Sequence, residues 1–128
     1  MKPATREWVA KAEEDFLSAT DLARRRKRPV WNSICFHAQQ CAEKYLKARM
    51  QEAGLVIPKT HDLEILLNQL LPSEPLWSAF RPATQNLTDF AVSFRYPGDN
   101  ATKSETQQAL KDCKVIRREV RLSLGLPV

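Results

Sequence analysis

Three groups of residues could do chemistry. Gln40, Lys44 and Lys47 recur at i, i+4 and i+7, so a helix sets them on one face. An amide and two ammonium groups on one face could hold a phosphate-bearing ligand; an ordinary solvated face is the other reading. Lys59 and His61 flank Thr60 just before an apolar run. At a helix N-terminus, free N–H groups and positive potential suit an anion. The competing role for His61 is a hydrogen-bonded tie between that loop and the preceding helix. Arg95 and Tyr96 precede Pro97-Gly98, so a constrained loop presents a guanidinium beside an aromatic ring. Such a pair can grip phosphate and stack on a base. Alternatively, Tyr96 packs on the body of the protein and Arg95 pairs with an acid of the first helix.

Other clusters carry less. The basic run Arg24–Arg28 could touch RNA phosphates or an acidic partner, or simply be a solvated helix end. Glu13, Glu14 and Asp15 are consecutive. On a helix they diverge by about 100° each and cannot converge on one metal ion. His61 has no second metal ligand at a suitable spacing. Cys35, Cys41 and Cys113 are an odd count without CxxC spacing, which argues against a zinc site or a disulfide framework. They read as reduced, partly buried thiols of a cytoplasmic protein. No cofactor is indicated.

The elements that must position these residues are helical. Only three residues are Gly, and no stretch alternates strictly in the β manner, so sheet is not expected. Trp8, Ala12, Phe16, Ala19 and Ala23 stripe a first helix over 5–27, with Thr5 as N-cap and Pro29 as its stop. Trp31, Ile34, Cys35, Ala38, Cys41, Ala42, Tyr45 and Leu46 line a second over 30–53, followed by Gly54. A short third helix over 60–71, capped by Thr60, turns Leu63, Leu66, Leu67 and Leu70 inward. A fourth covers 76–93, with Pro82 either inside it or marking its true first turn. After the turn chemistry of 94–100, a fifth begins at a capping box, Thr102 with Glu105 or Ser104 with Gln107, and ends at Gly125. The expected architecture is all-α: an antiparallel up-down bundle of four long helices plus one short helix, in a single domain over 1–128.

Lys and Arg number 20 against 15 Asp and Glu, and the net charge of +5 favours anionic partners without proving one. Residues 1–20 hold no apolar run, so no signal peptide is expected. No segment approaches 18 apolar residues, so no membrane span is expected.

Four segments carry a family resemblance: Lys11–Leu17, Phe36–Ala48 (FHAQQCAEKYLKA), Lys59–Leu63 (KTHDL) and Arg95–Pro97. In this order and spacing the chain resembles the HEPN family (higher eukaryotes and prokaryotes nucleotide-binding). The resemblance implies a helical bundle that is often a homodimer, a nucleotide or RNA as ligand, and frequent pairing with a small nucleotidyltransferase in a two-component, toxin–antitoxin-like system. Ribonuclease members of the family carry Arg, four to six residues, then His. Here the positions that would need Arg hold Val30, Trp31 and Asn32 before His37, and Gly54, Leu55 and Val56 before His61. The motif is absent, which points to a binding module rather than an enzyme, with no catalytic residue assigned. The alternatives are a ribonuclease using His61 as base and Arg95 as clamp, or a scaffold that only binds a partner protein.

Overall fold

A computed structural model describes residues 1–128 and contains helices and turns but no strand. Helix α1 spans Pro3–Ala23. Pro3 in its first turn has φ preset for the helix and no N–H to leave unpaired. Thr5 is therefore not the cap. It lies inside the helix, fully buried, and its hydroxyl donates to Glu52 at 2.9 Å. The helix also stops short of Lys27, because Arg28 takes a left-handed φ of 52° and Pro29 follows. Arg24–Arg28 thus form the connection rather than a last helical turn.

Helix α2 spans Trp31–Glu52, and Gly54 beyond it has φ +73°. Helix α3 is shorter than expected, Leu63–Leu70. Asp62, not Thr60, caps it by accepting from the Glu64 N–H at 2.9 Å, while the Thr60 hydroxyl accepts from Asp62 N–H at 3.1 Å. The expected fourth long helix is three pieces: a 3₁₀ turn at Pro75–Phe80, helix α4 at Arg81–Leu87 and a second 3₁₀ turn at Thr88–Ala91. Pro82 sits in the first turn of α4. It has no N–H to bond backward, so the α pattern cannot run through it. Helix α5 spans Lys103–Ser123 and opens with the Thr102–Glu105 capping box, each side chain bonding the other's N–H at 3.0 and 2.9 Å.

The order is up-down-up-down, with α3 as the inserted short helix. Helix α1 opposes α2: Lys2 N–H reaches Glu52 at one end, and Asp15 reaches His37 toward the other. Helix α4 opposes α5 through Asn86 and Asp112. The starts of α2 and α5 therefore share one end, where Asn32 bonds both Ala101 N–H and Asn100. A cluster of 23 buried apolar residues forms the core, with Tyr45, Leu46, Leu66, Leu67 and Ile116 wholly enclosed. Each such leucine contributes roughly 1.5–3 kcal/mol. No helix is long and apolar enough to cross a membrane.

Candidate functional site

At the shared end of α2 and α5 lies a groove of about 370 Å³. Asn32, Ser33, Phe36 and His37 line one wall; Ser93, Phe94 and Arg95 line the other. The α2 residues stand at i, i+1, i+4 and i+5, one face of a helix. The opposite wall is a bent connection in which Phe94 takes a left-handed φ of 67°. That conformation is costly for a large side chain and persists only where surroundings impose it. The Phe90 and Phe94 rings, 5.4 Å apart, brace it. The bend brings Arg95 back so that Nη2 donates to the Ala91 carbonyl at 3.0 Å. The rest of its guanidinium has no protein partner.

His37 is held from behind. Its Nδ1–H donates to Asp15 at 2.8 Å, and the other Asp15 oxygen accepts from Lys44 Nζ at 2.5 Å. Asp15 is buried, so its charge is compensated by these two contacts. With Nδ1 committed, Nε2 is the nitrogen left for a ligand. A carboxylate that orients a histidine this way fixes the ring and its tautomer.

The structure distributes the remaining candidates differently from a single ligand face. Lys44 serves Asp15. Lys47 is buried, donates to Glu43 at 3.0 Å and lies over the Trp8 ring. Gln40 donates to Gln39, whose own amide donates to Glu43 and to the His61 carbonyl. His61 bonds Glu43 through Nδ1 at 2.8 Å, which ties the loop to α2. At the start of α3, Asp62 and the Thr88 hydroxyl take up the Glu64 and Leu63 N–H groups. Lys59 is exposed beside this network. Arg95 pairs with no acid of α1, and Tyr96 does not pack on the bundle; it is 73% exposed. Arg95 lines the groove, while Tyr96 and His61 both lie outside its lining.

His37 escaped the sequence reading as a site residue. Its signal was the spacing Asn32, Ser33, Phe36, His37 on a helix whose other faces are apolar.

The N-termini of α2 and α5 meet at the groove end of the bundle. In the adjoining connection only Arg24 has an acid partner, Asp21 at 2.7 Å. Elsewhere, charge is compensated inside the bundle. Burial alone would raise the Glu13 carboxyl, but hydrogen bonds from Arg117 and Tyr45 hold it below the usual carboxylate range. Burial, then the contact with Glu13, pushes the Tyr45 hydroxyl up. The three cysteines are unpaired and buried, and desolvation raises the Cys41 thiol well above its ordinary value. No group of three His, Cys, Asp or Glu side chains converges as metal ligands would.

A family model described as "HEPN domain" matches residues 5–123, nearly the whole chain. No curated protein and no solved structure matches it.

Proposed function

The chain belongs to the HEPN domain family, and from that premise we propose that it is a non-catalytic nucleotide- or RNA-binding module that works as a homodimer. The ligand's phosphate sits in the groove between α2 and the 93–95 connection, on Arg95 and His37, and a base stacks on Tyr96. One observation supports this reading: a guanidinium with no acid partner, bonded only to the Ala91 carbonyl, and a carboxylate-held imidazole line the same groove, at the end of the bundle where two helix N-termini meet. Isothermal titration with ATP, GTP and short single-stranded RNA tests it. Binding that Arg95→Ala and His37→Ala each weaken is the expected result; no heat at millimolar ligand ends the reading. A small nucleotidyltransferase is the protein partner that family membership brings into consideration, and co-purification from its native cell checks that pairing.

A second reading is favoured by the Asp15–His37 contact. With the ring oriented and Nε2 free, His37 rather than His61 is placed to accept a 2′-hydroxyl proton, and Arg95 to hold the phosphate under attack. RNA left intact by purified protein, or cut equally well by His37→Ala, rules this out.

A further inference from the structure

The chain's other histidine is held in the same way as His37, but on an open surface. The His61 side chain is 64% exposed, yet its Nδ1–H donates at 2.8 Å to Glu43, whose side chain is 5% exposed. The other Glu43 oxygen accepts from Lys47 Nζ at 3.0 Å, and the His61-bonded oxygen also accepts from Gln39 at 3.2 Å. Gln39 is fully buried and Lys47 nearly so. Lysine, carboxylate and histidine thus recur twice, as Lys44–Asp15–His37 and as Lys47–Glu43–His61.

Two structural jobs that the ring could serve already have other owners. The loop is tied to α2 through its backbone, because the Gln39 amide donates to the His61 carbonyl at 3.1 Å. Glu43 is neutralised by Lys47. Burying an amide, a carboxylate and an ammonium together is costly, and apolar side chains packed in their place are often as stable or more so. Local rules broken in this way mark working sites. What the network adds is a single orientation of the imidazole. With Nδ1–H held by Glu43, the neutral ring carries its lone pair on Nε2, which has no hydrogen-bond partner in the protein. The carboxylate behind the ring also makes that nitrogen the better electron-pair donor.

A ring this exposed has no walls to enclose a substrate, so it reacts with a group that is brought to it. A phosphoryl group suits such a place. It is small, needs no apolar pocket, and its bond to imidazole outlasts that of an acyl group in water. We infer that His61 is a phosphoryl-acceptor site, modified at Nε2 by an activated donor of the phosphoramidate or acyl phosphate class. In that step the Nε2 lone pair attacks phosphorus and an Nε2–P bond forms. The donor's own bond to phosphorus breaks, and its electron pair leaves with the donor. Nε2 bears no hydrogen in the neutral ring, so no base is needed. The positive charge that appears on the ring faces Glu43. The inference stands apart from the groove at His37 and from any ligand bound there.

Treating the full chain with potassium phosphoramidate tests it, with intact mass giving the rate and phosphorus NMR the ring nitrogen that is modified. The chain has only two histidines, so His61→Ala assigns the signal. The wild type gains a phosphoryl group on His61 Nε2 about tenfold faster than the free peptide KTHDL, and Glu43→Gln brings the rate down to the peptide's. Circular dichroism and melting show whether Glu43→Gln is folded. Where it is not, the comparison of wild type with peptide decides by itself. A histidine that only ties the loop would lose stability in Glu43→Gln without having reacted faster than the peptide. A His61 rate no greater than the peptide's, a phosphoryl group on Nδ1, or a folded Glu43→Gln that reacts as fast as wild type overturns the inference.

Discussion

Arg117 of α5 grips Glu13 of α1 with both faces of its fork, Nε at 2.8 Å from one oxygen and Nη2 at 2.7 Å from the other. The guanidinium lies 4.2 Å over the Phe16 ring, and Tyr45 donates to the same carboxylate. The pair joins the first and last helices across the bundle. Glu13→Ala leaves that cation without its partner in a largely enclosed position. A fully buried pair broken this way costs about 3–5 kcal/mol. Glu13 is 28% exposed, so a loss of about 2 kcal/mol is expected in urea unfolding. Replacing Glu13 and Arg117 together by leucine recovers most of it.

The same contact sets an acid limit. The Glu13 carboxyl titrates lower in the folded chain than in the unfolded one, so the folded state releases its proton more readily. Its contribution is present above the unfolded value, about 4.3, and is lost as pH falls through the lower folded value. Thermal midpoints measured from pH 7 to pH 3 should therefore drop in that acid window, and Glu13→Gln should flatten the fall.

Arg95 and Tyr96 can be altered without cost to the fold. Arg95 makes one bond, to a neighbouring carbonyl, and Tyr96 stands in solvent. Arg95→Ala should weaken RNA or nucleotide binding at least about tenfold, the scale of a lost charge-assisted hydrogen bond. Arg95→Lys should recover only part, since an ammonium cannot present a fork. Tyr96→Ala should weaken RNA by roughly five- to a hundredfold, about 1–3 kcal/mol per stacked base. Unchanged binding in Arg95→Ala would move the ligand elsewhere.

Lys47 should behave in the opposite way. Its ammonium neutralises Glu43 with both side chains at or below 9% exposure. Lys47→Met should destabilise the protein by about 2 kcal/mol, less than a full orphaned charge because His61 still contacts Glu43. Ligand affinity should be unchanged, which separates a structural lysine from a binding one by comparing titration with melting.

The sequence by itself determined the helical class and the inward leucines of α3, and it narrowed the α5 capping box to Thr102 or Ser104 and flagged Pro82 as inside the fourth helix or at its first turn. Each follows from the period of apolar residues or from backbone chemistry that acts over three or four positions. It also carried the family likeness, in the runs FHAQQCAEKYLKA and KTHDL. It could not assign the charged residues, because a face shared along one helix says nothing of what stands opposite. Gln40, Lys44 and Lys47 are spaced for one ligand, yet folding gives them Gln39, Asp15 and Glu43 as partners. Thr5 looked like a cap until Glu52, 47 residues on, took its hydroxyl. His37 gained meaning only when α1 placed Asp15 behind it and the left-handed turn at Phe94 brought Arg95 across the groove. Local propensity fixes elements over a few residues, whereas the pairing of charges depends on which helices the hydrophobic core presses together.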